Sequence, residues 1–192
     1  LLRIEQLQEE DGVTPPNFRL PMILELVVGT KRLRLPLEIR ERKQTIQIPL
    51  SARPRYVALD PEHHFLKLLD FPRTDEELLY GLERSPFALE RIRCARELSG
   101  RGGRDVRRAL FRAARGDRFW GVRVAALASL GEIGRGDPAL TDRVAALAAL
   151  ASRQKPRVRR AAAWALGWIG GDAALKHLKR VVATDESPWN VG

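Results

Sequence analysis

Three histidines, one cysteine and a dense set of arginines are the side chains of this 192-residue chain whose spacing could support chemistry. His63 and His64 are adjacent and follow Asp60-Pro61-Glu62. On an extended segment neighbouring side chains point to opposite faces, so this pair cannot converge on one ion. Zinc hydrolases set two histidines one helical turn apart, H-E-x-x-H, with a further carboxylate downstream. No stretch of the chain has that spacing, and none reads G-x-x-x-x-G-K-[ST], G-x-S-x-G or G-x-G-x-x-G. Gly100-Arg101-Gly102-Gly103 is glycine-rich and basic, but it follows a helical pattern rather than a strand, so it does not read as a phosphate cradle. Cys94 lies among Ile92, Ala95 and Leu98 and reads as a small buried helix residue. A single cysteine excludes an internal disulfide and a cysteine-built zinc site. No catalytic, metal-binding or cofactor-binding residue is assigned within the chain.

Arginine is the exception to this quiet picture. The formal net charge is +10, and 28 of the 34 basic residues are Arg. Residues 1–75 hold 12 basic and 11 acidic side chains, whereas residues 76–192 hold 22 and 13. The excess is sharpest over residues 91–118, with ten Arg against Glu97, Asp105 and Asp117. Arg104, Arg108, Arg112 and Arg115 recur at helical spacing and share one face, forming a candidate basic docking surface. The competing reading is a solvated outer face. Phosphate binding would need several such charges converging, and base stacking would need aromatic residues interleaved with them. Phe111 and Phe119 instead read as buried, and Trp120, Trp164, Trp168 and Trp189 as packing residues at repeat positions.

The elements that position these residues fall into two halves. Residues 1–72 read in period two, as a small antiparallel β-sandwich. Ile23–Val28 and Leu33–Ile39 form a hairpin around Gly29-Thr30-Lys31. Glu41-Arg-Lys43 turns into a strand with Ile46, Ile48 and Leu50; Tyr56–Leu59 follows, and Phe65–Leu68 is expected as a last short strand. Residues 73–192 read in period 3.6. Thr74 or Asp75 caps a helix over Glu76–Glu83, and helix pairs follow at about 87–99 with 105–116, 120–134 with 140–153 and 156–169 with 172–184.

Val122-Arg-Val-Ala-Ala-Leu-Ala-Ser-Leu-Gly-Glu-Ile-Gly134 recurs as Val158-Arg-Arg-Ala-Ala-Ala-Trp-Ala-Leu-Gly-Trp-Ile-Gly170, 36 residues later. Recurrence at this period with two helices per unit marks an α-solenoid of the HEAT or armadillo kind. The fold class is therefore multidomain β plus α: a β-sandwich followed by a HEAT-like α-α superhelix. Trp189-Asn190-Val191-Gly192 opens a further unit, from which the sequence is expected to be part of something longer.

Several stretches resemble the C-terminal half of the aminopeptidase N family of zinc metallopeptidases, especially bacterial members with HEAT repeats. These are Asn17-Phe-Arg-Leu-Pro-Met-Ile-Leu-Glu25, Gln44-Thr-Ile-Gln-Ile-Pro49, Pro54-Arg-Tyr-Val-Ala-Leu-Asp-Pro61 with Phe65-Leu-Lys67, Ala95-Arg96, and Asp117-Arg-Phe-Trp-Gly-Val-Arg-Val-Ala-Ala-Leu-Ala-Ser-Leu-Gly131. The resemblance implies a sandwich and superhelix that close over a catalytic domain placed earlier in the parent. Zinc and its ligands would belong to that missing catalytic domain, so no functional residue carries over to this sequence.

Three expectations of function follow. The first is a non-catalytic fragment that shapes and closes the peptide-access cleft of a zinc aminopeptidase. Its partner would be the parent's own catalytic domain, and it would meet peptide substrates indirectly. The second is a HEAT-repeat scaffold binding another protein on its concave surface. The third is a nucleic-acid binder acting through Arg104, Arg108, Arg112 and Arg115, which the missing aromatic interleaving disfavours. No apolar run is long enough to span a membrane and no secretion signal is present, which points to the cytoplasm.

Overall fold

A computed structural model describes residues 1–9, 11–149 and 154–184. The chain divides into two compact units, Leu1–Phe71 and Pro72–Gly192.

The first unit holds five strands among the described residues: β1 (Leu2–Glu5), β2 (Leu20–Val28), β3 (Lys31–Ile39), β4 (Lys43–Ile46) and β5 (Tyr56–Leu59). They form an antiparallel three-stranded sheet in the order β3-β2-β5 and a two-stranded sheet β1-β4. Met22, Leu24 and Leu26 alternate along β2 and bury one face of the larger sheet together with Ile39 and Leu59. Leu2, Ile4, Ile48 and Leu50 pack against that cluster from the other side, so two sheet layers enclose the core. The hairpin is tighter than the sequence suggests. Val28 pairs with Lys31, leaving a two-residue loop in which Gly29 takes φ 56°, a conformation that glycine adopts without penalty at the first position of a type II′ turn. Pro36 sits on β3, an edge strand, where a missing N–H breaks no inner ladder.

Two expectations about strands are corrected here. The strand placed at Ile46–Leu50 runs over Lys43–Ile46 instead and pairs with β1, which the sequence reading did not pick out. Phe65–Leu68 forms no strand. Asp60 takes φ 49° and its buried carboxylate accepts from the backbone N–H of His64 (3.0 Å) and Phe65 (3.2 Å) and from Lys67 Nζ. A carboxylate thus occupies the donors a ladder would need.

The second unit holds seven α-helices among the described residues: α1 (Asp75–Arg84), α2 (Ala88–Glu97), α3 (Arg104–Gly116), α4 (Trp120–Ile133), α5 (Pro138–Ala149), α6 (Pro156–Ile169) and α7 (Gly171–Thr184). Thr74 caps α1 through a capping box with Glu77, satisfying two otherwise orphaned N–H groups. The helices α2, α4 and α6 lie side by side as the first members of successive pairs, with α4 packed on α2, α3 and α6. One continuous core runs through them, from Leu78 and Leu98 through Leu110, Leu127 and Leu130 to Leu166 and Ile169. Alanine and glycine on the facing sides let the first helices approach closely: a Cβ added to Gly131 would lie 2.9 Å from Ala165 Cα.

Candidate functional site

The four arginines that the sequence groups together lie on one exposed face of α3. The hydrophobic residues Val106, Ala109, Leu110 and Ala114 bury the opposite face and fix its orientation. Two of the four charges are already answered within the molecule. Arg108 pairs with Asp105 at 2.7 Å, one turn earlier, and Arg112 pairs with Glu83 at the end of α1. Arg104 and Arg115 remain exposed, eleven residues apart, which is about 16 Å along a helix. Two cations so far apart do not converge on one phosphate.

The aromatic residues depart from expectation. Trp120 is partly buried against the core, but Trp164 and Trp168 are 63% and 44% exposed and Phe119 is 36% exposed. Trp189 lies outside the described residues. Arginines lie over these rings: Arg157 over Trp120 at 4.9 Å, Arg160 over Trp164 at 5.4 Å and Arg135 over Trp168 at 5.9 Å. Arg157, Arg160, Trp164 and Trp168 follow one stripe of α6, with Trp120 and Arg135 reaching it from the two ends of α4. A second cationic and aromatic surface therefore exists, which the sequence reading had assigned to packing. The i, i+3, i+7, i+11 spacing of those four residues was its visible signal.

The buried charges hold helices together. Arg73 is 4% exposed and its guanidinium binds Glu97 in bidentate fashion at 2.7 and 3.2 Å, pairs with Glu90, and lies 3.5 Å from Cys94 Sγ. Burial pushes the Glu97 carboxyl up, but the hydrogen bonds and charges of Arg73 and Arg93 outweigh this and hold it below its ordinary value. Burial, with the negative charge of Glu90 beside it, pushes the Cys94 thiol far above the ordinary range, so the buried Cys94 is an inert thiol. Arg91 makes a second bidentate clamp, to Asp117 at 2.8 and 2.9 Å, and also donates to the carbonyls of Ser85 and Pro86. Asp117 in turn accepts from Phe119 N–H at 2.8 Å and sets the entry into α4. The sequence reading missed the Arg73 clamp. Its trace was Glu90, Cys94 and Glu97 at i, i+4, i+7 on one stripe of α2.

The remaining residues that the sequence singles out lie in turns. His64 lies 3.4 Å from Asp60 and 3.1 Å from Glu62, while His63 takes φ 56° and belongs to the strained turn. Among the described residues no group of three His, Cys, Asp or Glu is arranged to hold a metal ion. In the glycine-rich turn, Arg101 pairs with Asp75 at 2.6 Å and donates to the Arg73 carbonyl at 2.9 Å, tying the turn to the start of α1.

Comparison with known families finds HEAT repeats over residues 76–144 and 134–190. The chain belongs to the HEAT-repeat family. No curated protein sequence matches it. As a HEAT protein, its helix pairs α2–α3, α4–α5 and α6–α7 are successive repeats, and the 36-residue recurrence from Val122 to Val158 is one repeat step. A HEAT stack buries its apolar stripes between neighbours and leaves long surfaces facing outward, suited to binding. Among the described residues, no helix is long and apolar enough to cross a membrane.

Proposed function

We propose that this chain is a non-catalytic docking scaffold for a protein partner. The observation that carries the proposal is the division of labour among its arginines. Arg73 and Arg91 are buried and lock helices together, whereas Arg104, Arg115, Arg157 and Arg160 lie outside the core and pair with no carboxylate among the described residues. Exposed guanidinium groups are strongly represented where protein partners dock, because the planar fork binds carboxylates and stacks on rings.

The order of a small two-sheet unit and then a HEAT stack favours one kind of partner, in line with the resemblance to the C-terminal half of the aminopeptidase N family. That partner is a zinc-bearing peptidase catalytic domain within the same parent protein, whose peptide-access cleft this chain would shape and close. Such a lid excludes water and positions substrate. The nucleic-acid reading draws less support, since Asp105 and Glu83 already neutralise half of the α3 face.

The test uses the purified chain, zinc, an aminoacyl anilide and a purified thermolysin-like domain of an aminopeptidase N-type enzyme. The chain with zinc is expected to hydrolyse nothing, and hydrolysis would sink the scaffold reading. Added to the catalytic domain, it is expected to change KM for long peptides more than for short ones. No association would remove the peptidase reading and leave the scaffold. Retention of DNA or RNA at about 50 mM salt would restore the nucleic-acid alternative.

A further inference from the structure

The first helices of the three repeats begin alike. Ala88, Trp120 and Pro156 open α2, α4 and α6, and Phe87 and Phe119 precede the first two in the same extended backbone, with ψ 123° and 122°. Each helix carries an arginine at its fourth position: Arg91, Arg123 and Arg159. Arg91 shows what that position holds. Asp117, three residues ahead of α4, grips its Nε and Nη2 at 2.8 and 2.9 Å, and the carbonyls of Ser85 and Pro86 take its Nη1.

Arg123 has the same place in its helix and no such partner. The residue three ahead of α6, where the next aspartate would stand, is Arg153, outside the described residues, and from Arg143 to Gly171 the sequence has no acid. Arg123 is partly buried, its Nε is shut off from solvent, and that Nε donates to no acceptor. Among the described residues no carboxylate pairs with it. An arginine cannot shed its proton, so a shielded N–H is relieved only when an acceptor arrives. The group that suits a guanidinium fork best is a carboxylate, as Asp117 demonstrates one repeat earlier.

We propose that Arg123, in the first turn of α4, is a binding site for a carboxylate from outside the chain, open where the preceding repeat fills its own with Asp117. The carboxylate comes from an acidic side chain of another protein or from a free carboxylic acid. The site stands independently of the scaffold reading, which a side-chain source would extend.

The Nε–H signals of the whole nitrogen-15-labelled chain report the site directly by NMR, with the Arg123 signal assigned by its loss in R123K. Sodium acetate is expected to shift that signal saturably, and sodium chloride at the same ionic strength is not. R153D places a carboxylate at the repeat position of Asp117 and should abolish the acetate response. R115D changes the charge equally on α3 and should leave the response intact. The source is read by titrating a capped Gly-Asp-Gly peptide beside acetate. A response at least about tenfold more sensitive to the peptide assigns a protein side chain, and equal sensitivity assigns a free acid. Three results would overturn the site: no acetate response, an equal response to chloride, or a response undiminished in R153D. So would an Arg123 signal that already coincides, before acetate, with the paired signal that R91K removes, because the chain would then fill the site itself. Each of these would leave the scaffold reading standing.

Discussion

At the scale of the residue, the most consequential side chain is Arg73, which no surface argument would have singled out. It is buried with Glu90 and bound to Glu97, so its removal takes a buried counter-charge away from both carboxylates. Breaking a buried pair in this way costs about 3–5 kcal/mol, against about 1 kcal/mol or less for an exposed pair such as Arg108 with Asp105. R73A should therefore unfold at markedly lower urea than the parent, and R108A should not. The same clamp carries a pH signature. Glu97 and Asp60 are both held below their ordinary values of 4.5 and 3.8. A carboxylate depressed in the folded state adds stability above its unfolded value and loses it as pH falls through the folded one. Urea midpoints should fall as pH drops below about 4.5, and the slope should be shallower in R73A, where Arg93 alone is left to depress Glu97.

At the scale of the element, two glycines with the same sequence context behave oppositely. Gly131 lies against Ala165 and Trp168, and a Cβ there would come within 2.9 Å of backbone; Gly167 has open space. G131A should lower stability by about 1–3 kcal/mol through overpacking, and G167A should raise it by up to about 1 kcal/mol through helix propensity. Thermal melts of the two variants would shift in opposite directions, and a shared direction would contradict the stacking geometry. The sequence disclosed the recurrence that makes these positions equivalent, but not which of them has a neighbour. Helices were legible almost to the residue, because Thr74, Gly134 and Gly170 mark their ends and apolar stripes mark their faces. Strands were less so. Phe65–Leu68 alternates as a strand should, yet the Asp60 carboxylate captures its amides, and such a local capture leaves no trace in hydropathy. Trp164 misled for a different reason: it sits at a repeat position but is 63% exposed with Arg160 over its ring, whereas Trp168 packs on Gly131 of the preceding repeat while part of its ring stays exposed.

At the scale of the whole molecule, the HEAT unit is a one-dimensional stack in which each helix pair depends on its neighbours. Its middle is deeply buried, with seven residues of α4 inside the core, whereas Ala174 is the buried residue of α7. An element held by so little opens locally at low free-energy cost. Lys176, Lys179 and Arg180 are exposed along it. Limited trypsin digestion should therefore nick α7 first and spare α2 to α4, a pattern that mass spectrometry of the fragments would display. Because each repeat leans mainly on its neighbours, a nick in α7 would leave the earlier repeats standing, and the arginines of α3 would stay on their folded helix after the cut.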